Sequence, residues 1–175
     1  MVRVKKRYFV VQLERERDVA ARAKCAESGK PFRRAVDLDH EPLKVRPNQL
    51  TGRLRDLVGD HFGDLGSGVL ASSGVRVAYS NPATGVFVVS ARHGPHRFVA
   101  AVLPFLTRVS EERVVPRLIH TGATVRQCFR VLEPFQKKQL ECALFELRDD
   151  PKLREERATL ERQLAGLKDS YKHFY

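Results

Sequence analysis

The sequence predicts an α+β domain in which an antiparallel four-stranded sheet carries two packed helices, with extra helices towards the C-terminus. Segments with apolar residues at every second position alternate with segments at helical spacing, and Pro, Gly and Asn clusters separate them. The resulting order, strand–helix–strand–strand–helix–strand followed by helices, is that of a split βαβ arrangement. With 175 residues, 42% of them hydrophobic, the chain is long enough to bury a core of its own.

The first part of the chain is predicted to form a strand, a charged insertion and a helix. Val2 to Leu13 alternate as in a strand, with Tyr8 and Phe9 on opposite faces, so only one of these two rings can lie under the helices. Residues 14–48 show no periodicity and carry prolines at their breaks, which predicts a long surface loop or insertion. Apolar residues at helical spacing then predict a helix from Pro47 to about Gly66.

Two strands and a helix are predicted next. Alternation over Val75 to Ser80 indicates a second strand, a turn cluster follows it, and Val86 to Arg92 form the third. Gly94-Pro95 breaks the pattern and opens a helix from about His96 to Leu106, in which Pro104 predicts a kink or a short final turn. The residues that this helix is expected to bury are Phe98, Ala101, Val102 and Phe105.

An edge strand and a long helix are predicted to complete the domain. Val114 to Thr121 form the fourth strand, and Pro116 within it favours an edge position. Thr124 is the predicted N-cap of a helix that Pro134 kinks or restarts. Residues 1–147 are thus predicted to be one domain.

The remaining residues, 148–175, are predicted to form a charged amphipathic helical tail. Such a helix must bury its apolar stripe either on a neighbouring molecule or back on its own domain. The stripe consists of Leu153, Leu160, Leu164, Leu167 and Tyr171.

The charge of the chain favours a polyanionic partner. Its 32 Lys and Arg against 21 Asp and Glu give a formal net charge of +11, with the excess mainly in residues 1–13 and 76–137. Such a balance is typical of proteins that bind nucleic acid.

No apolar run approaches the ~18 residues of a membrane span, and the opening residues lack the apolar core of a signal peptide. Three cysteines without CxxC spacing argue against a disulfide framework or a zinc knuckle and favour a reducing compartment.

The first candidate site is the basic block at the N-terminus. It consists of four cations and the aromatic residue that follows them, namely Arg3, Lys5, Lys6, Arg7 and Tyr8. Cations followed by aromatic rings suit a phosphate backbone and stacked bases. In an extended strand Arg3, Lys5 and Arg7 project to one side, beyond the packed region. The alternative is that the cations only protect a strand end against aggregation.

The second candidate site is the loop from the third strand into the following helix. Its basic and imidazole side chains are Arg92, His93, His96 and Arg97. They surround a predicted helix N-terminus, where free N–H groups favour anions, and we interpret them as phosphate contacts. An ordinary solvated loop is the alternative. The histidines are also metal-ligand types, but no third ligand stands at a useful spacing, and no metal site is predicted.

The third candidate site is the segment His120 to Arg126, where another strand runs into a helix. Gly122 permits a close backbone approach or a positive φ. Arg126 and Arg130 project basic charge at i, i+4 on the helix that follows. The structural alternative is a capped strand-to-helix turn, which Thr124 already explains, and the two interpretations are compatible.

The sequence offers no catalytic constellation. It contains neither a recognisable nucleophile with a histidine and an acid nor paired carboxylates in a basic setting. Cys128 and Cys142 lie in apolar helical windows, which predicts buried, inert thiols. No catalytic residue and no cofactor are therefore expected in the protein itself.

Four stretches together resemble the Pop-five family of protein subunits of ribonuclease P and ribonuclease MRP, which includes the Rpp-fourteen subunit. They are the opening residues 1–8, VAYSNPATGV at 77–86, the helix end Leu103-Pro104-Phe105, and TGATVR at 121–126. The matches occur in order and cover residues 1–13 and about 50–147. Ala123 stands where many members have a glycine, so a strict glycine requirement does not hold there.

The resemblance implies a ferredoxin-like α/β sandwich, similar to an RNA-recognition motif, within a ribonucleoprotein whose RNA performs the phosphodiester hydrolysis. The protein would brace that RNA beside a TIM-barrel protein subunit and other subunits, with Mg²⁺ on the RNA. The implied substrate is precursor tRNA, cut at its 5′ leader and met only indirectly, with precursor rRNA for the MRP form. The implied location is the nucleus and nucleolus, away from membranes.

Two other classes of function remain alternatives. One is a stand-alone RNA-recognition module that binds single strands with aromatic residues on its two central strands, where this chain has Tyr8 and Phe87. The other is a protein–protein adaptor whose charge is incidental. The salt dependence of RNA binding would separate the adaptor from the other two classes.

Overall fold

The computed structural model describes residues 4–28, 43–82, 84–146, 158–159 and 161–162. The strands in these ranges are β1 (Lys6–Arg15), β2 (Arg76–Asn81), β3 (Val86–Arg92), β4 (Arg108–Val109) and β5 (Glu112–Gly122). The helices are α1 (Glu16–Glu27), α2 (Pro47–Ser73), α3 (His96–Val102), which a 3-10 turn over Leu103–Phe105 continues, and α4 (Val125–Glu146). Arg3 and the predicted apolar stripe of the tail lie outside the described residues. None of the described helices combines the length and apolar character that crossing a membrane requires.

The strands form an antiparallel sheet in the order β2–β3–β1–β5–β4. The predicted α+β class and antiparallel sheet are confirmed, and the two-residue strand β4 is added to the four strands expected. Since β4 pairs only with Glu112 and Arg113, the rest of β5 has β1 as its one partner strand within the described ranges. Pro116 lies in this edge portion, where a residue without an N–H group is tolerated.

Helices cover both faces of the sheet. On one face α2 and α3 pack over a core that includes Phe9, Val11 and Phe87. On the other face α4 packs over Val10, Val86, Val88 and their neighbours through Phe129, Leu132 and Leu140. Strand β3 is buried over six of its seven residues, because a strand covered on both faces is apolar on both. The prediction of two helices on one face therefore holds for α2 and α3, while α4 covers the opposite face.

The prediction of a loop is wrong for residues 14–28, whereas the alternative of an insertion over residues 14–48 stays a prediction. Strand β1 continues to Arg15, and α1 follows directly. Helix α1 has no buried residue, so its sequence has no apolar periodicity from which the helix could be predicted. Ion pairs stabilise this region instead, with Arg22 Nη2 at 3.2 Å from Glu14 Oε2 and Arg113 Nη1 at 3.5 Å from Glu16 Oε2. Residues 29–42 lie outside the described ranges.

Two helix boundaries also differ from the predictions. Helix α2 continues to Ser73 instead of ending near Gly66, and it bends at Gly63, whose φ of 59° and ψ of −149° are not helical. Its second part still packs, since Leu70 is only 1% exposed. Helix α3 ends at Val102 instead of near Leu106, and the 3-10 turn over Leu103–Phe105 confirms the short final turn predicted at Pro104.

The burial predicted for α3 and the restart predicted as one alternative at Pro134 need correction as well. Phe98 is half-buried and Val102 buried as expected, but Ala101 and Phe105 are exposed. Since the helix ends at Val102, Phe105 belongs to the following turn and does not continue the apolar face. Helix α4 extends through Pro134 as one element to Glu146.

Candidate nucleic-acid interface

One end of the sheet brings the three predicted sites together. The antiparallel register pairs Lys6 with Arg92 and Tyr8 with Gly122. The carboxyl ends of β3 and β5 therefore lie on either side of the amino end of β1. We call this surface the basic end of the sheet, and it comprises Lys5, Lys6, Arg7, Arg76, Arg92, His93, His96, Arg97 and Arg126.

Arg76 belongs to the basic end although sequence reasoning did not select it. It begins β2 and pairs with Ser90, whose hydroxyl donates to the Arg76 carbonyl oxygen at 3.1 Å. The alternating pattern of β2 marked Arg76 only as an exposed strand position. The antiparallel order of β2 and β3 is what places it beside the end of β3, so knowledge of the pairing is needed to find it.

Five cations of the basic end have no carboxylate partner within the described ranges. Lys5, Arg92 and Arg97 are exposed, while Lys6 and Arg7 are half-buried. Within the described ranges none of these five forms an ion pair with an acidic group, whereas Arg15 and Arg113 near the other end of the sheet pair with Glu112 and Glu16. The basic end therefore offers concentrated positive charge to an external anion.

The loop after β3 is fixed against the start of β1. The backbone N–H of His93 donates to the carbonyl oxygen of Lys5 at 2.8 Å. The N–H of Gly94 donates to Nδ1 of His96 at 3.0 Å. The rings of His93 and His96 stack with centroids 5.1 Å apart, and the His96 ring lies 6.3 Å from that of Phe9. The two predicted segments are thus one connected structure.

Burial, followed by the nearby charges of His93, Arg7 and Arg97, lowers the pKa of His96 from its ordinary value of 6.5. The hydrogen bond from Gly94 to Nδ1 also requires the imidazole to be unprotonated at that atom. His96 is therefore held neutral at pH 7. Among the described residues, no group of three or more His, Cys, Asp and Glu side chains is arranged to hold a metal ion.

The neutral state of His96 predicts a loss of stability in acid. The unfolded chain takes up this proton at a higher pH than the folded chain, so the free energy of unfolding should fall as the pH drops below 6.5. His96→Asn retains an acceptor for the N–H of Gly94 without a titrating group, and we expect it to lose less stability over the same range. Urea unfolding of both proteins at a series of pH values tests this. Parallel pH profiles would contradict it.

The turn between β5 and α4 is a capped strand-to-helix connection. The N–H of Gln127 donates to Thr124 Oγ1 at 3.2 Å, and the N–H of Ala123 donates to Gln127 Oε1 at 3.1 Å. The N-cap role predicted for Thr124 is confirmed. The side chain of Arg126 is exposed just beyond this cap, and Arg130 is exposed one turn further along α4.

Gly122 is required by a close approach. A Cβ atom there would lie 2.9 Å from Cys128 Sγ, and the residue has no positive φ. The Cys128 thiol is directed at the carbonyl oxygen of Tyr8 at 3.9 Å, and burial raises its pKa to about 11. Cys128 is buried as predicted. Cys142 is exposed, contrary to the prediction, because it lies on the side of α4 turned away from the buried Leu140.

This contact predicts an energetic coupling between the turn and the helix. Gly122→Ala should lower the free energy of unfolding by about 1–3 kcal/mol, because the added methyl group overpacks the site. In a Cys128→Ala background the same change should cost clearly less, since the sulfur atom that it meets is gone. Denaturant unfolding of the four proteins measures the coupling. If the double variant loses as much free energy of unfolding as the two single variants together, the close approach to Cys128 does not constrain the turn.

The aromatic residues of the two central strands do not form a free stacking surface. Tyr8 is half-buried and packs against the cluster under α4. Phe87 is 0% exposed and lies in the core under α2 and α3. Of the predicted site residues, Tyr8 is therefore the one whose ring is largely occupied by packing within the domain.

Comparison with known proteins adds a family assignment to this geometry. The sequence profile of the Rpp14/Pop5 family matches residues 7–132, which extend from β1 into α4. A Danio rerio protein named ribonuclease P/MRP protein subunit POP5 is 32% identical over 102 residues, 55% of this chain and 60% of that protein. The Mus musculus protein of that name is 28% identical over 144 residues, 80% and 72% of the two lengths. The one from Schizosaccharomyces pombe is 28% identical over 109 residues, 61% and 75%.

Proposed function

This chain belongs to the Rpp14/Pop5 family, and we propose from this premise that it is a non-catalytic protein subunit of ribonuclease P and of ribonuclease MRP. It binds and stabilises the catalytic RNA, which removes the 5′ leader of precursor tRNA and, in the MRP form, processes precursor rRNA. Hydrolysis and the Mg²⁺ that it needs belong to the RNA. A TIM-barrel protein subunit is among the proposed partners, and the nucleus and nucleolus are the proposed location.

The observation that carries this proposal is a set of three exposed cations at the basic end of the sheet that have no acidic partner within the described ranges. Lys5, Arg92 and Arg97 are exposed there and form no ion pair among the described residues. An RNA backbone supplies the missing anions, since Lys and Arg contacts to phosphates dominate affinity for nucleic acids. The family names of the relatives supply the identity of the RNA that we propose.

The fold argues against a stand-alone single-strand module. Such modules stack bases on aromatic residues of an open sheet face. Here α4 covers the face that carries Tyr8, and α2 and α3 cover Phe87 on the other. An RNA bound at the strand ends would contact cationic side chains and not an open sheet face. Contacts to phosphates do not require unstacked bases, so this arrangement suits a structured RNA.

Affinity purification of the full chain from its source cells, followed by sequencing of the bound RNA, tests the proposal. We expect one abundant structured RNA together with other protein subunits. A broad spread of messenger RNAs would indicate the stand-alone module. Recovery of proteins without RNA would indicate the adaptor, and either result would overturn the proposal.

The purified chain without RNA is expected to show no nuclease activity. The proposal assigns phosphodiester hydrolysis to the RNA, and the sequence contains no recognisable acid–base pair to replace it. Incubation with precursor tRNA and Mg²⁺ measures this directly. Cleavage that stays with the protein through further purification steps would contradict the prediction.

A further inference from the structure

A stack of three aromatic rings leads from the core to the surface at the basic end of the sheet. Phe9 is 1% exposed and forms the inner member. His96 is the middle ring, inclined by 26° to Phe9, with their centroids 6.3 Å apart. His93 is exposed and lies outermost, inclined by 23° to His96 at 5.1 Å. The stack therefore ends in solvent with a ring.

The outermost ring lies on a neighbouring ring, and hydrogen bonds hold that ring and the His93 backbone. The His93 backbone is tied to β1 by the hydrogen bond to Lys5, and His96 is tied to the Gly94 backbone. In the described part of the chain, the one ring that His93 contacts is His96. A ring supported from behind in this way offers its outer face to another flat group.

The charges around His93 indicate the chemical class of a ligand that would stack on its ring. The neighbouring residues Arg92 and Arg97 are exposed cations, and Arg7 lies near enough to influence His96 electrostatically. A flat ring that arrives joined to phosphates is a nucleotide. In a regular duplex the base faces are covered by their neighbours, so only an unpaired base, as in a bulge or loop, can present a free face.

We propose that His93 is a stacking platform for one unpaired base of the bound RNA, with Arg92 and Arg97 contacting the adjoining phosphates. This rests on the proposed RNA-binding function and adds that the RNA is unpaired at this point of contact. Stacking depends on a ring face and not on the charge of the ring. His93→Phe should therefore retain the interaction, whereas His93→Ala should lose it.

The test uses the full chain and two RNA hairpins that differ only in a single bulged 2-aminopurine nucleotide. We expect wild type to bind the bulged hairpin more tightly and to quench the 2-aminopurine fluorescence. His93→Ala should weaken binding of the bulged hairpin by about tenfold and abolish the quenching, with the paired hairpin and the salt dependence unaffected. His93→Phe should behave as wild type. His61→Ala is a matched control, since this exposed histidine contacts Phe105 on another part of the surface.

The outcomes separate this inference from the proposed function. If wild type binds neither hairpin, the RNA-binding function on which it rests is wrong. If wild type binds both hairpins and a folded His93→Ala variant binds them equally well, RNA binding stands and the stacking platform is wrong. If His93→Ala weakens both hairpins equally and flattens the salt dependence, His93 contacts phosphate, which also overturns the proposal.

Discussion

Replacing Lys5, Arg7 and Arg97 together with Gln is expected to weaken binding to structured RNA by about a hundredfold. The three side chains belong to the basic end of the sheet and have no carboxylate partner among the described residues. Each exposed charge contact contributes about 1 kcal/mol, and the losses should add because no pairing within the protein replaces them. Each lost phosphate contact also reduces the slope of log affinity against log salt by about 0.7–0.9.

The slope distinguishes this mechanism from a general change of fold. The triple variant should show a slope flatter by about 2–3 units in filter-binding or fluorescence titrations at several salt concentrations. A matched variant with the exposed cations Lys24, Arg117 and Lys138 replaced by Gln removes the same net charge far from the basic end. This control variant should change the affinity for RNA and the salt slope much less than the triple variant does. Equal effects of the two variants would show that only net charge matters.

The largest expected effect on stability is that of Gly85→Ala, at about 2–5 kcal/mol of unfolding free energy. Gly85 ends the turn between β2 and β3 with a φ of +66°, in the left-handed region. An added Cβ would collide with the backbone carbonyl oxygen of Leu13, whose N–H donates a hydrogen bond to the carbonyl oxygen of Gly85 at 2.7 Å. The backbone of a paired strand cannot move aside as a flexible side chain can. The turn would therefore have to move away from β1.

Gly74→Ala provides the matched control for this experiment. Gly74 also has a left-handed φ, +63°, but a Cβ there would meet nothing within 4 Å. Its replacement should therefore cost only the conformational penalty of about 1–2 kcal/mol. Urea unfolding of the two variants gives the difference, which isolates the collision with β1. Equal losses would show that the turn can relax away from Leu13.

The elements with strong periodicity could be predicted from the sequence. Apolar pattern and turn residues defined the last three predicted strands to within two residues, and Val86 to Arg92 is the observed β3. Local chemistry also identified Thr124 as a helix cap and Cys128 as a buried thiol, because capping and apolar spacing act over only a few residues. Helix α1 had no such pattern. Its partners Glu14 and Arg113 stabilise it through charge, and ion pairs between distant residues leave no period in the sequence.

By itself the sequence determined most of the elements, the family resemblance and the identity of the basic segments. Only the tertiary structure decided that these segments meet at one end of the sheet, that Arg76 joins them, and that α4 closes the face carrying Tyr8. The stack of His93 on His96 and Phe9 likewise depends on how the loop folds back onto β1. The physical reason is that periodicity is set by neighbours along the chain, whereas pairing and layer order are set by contacts between residues far apart in it.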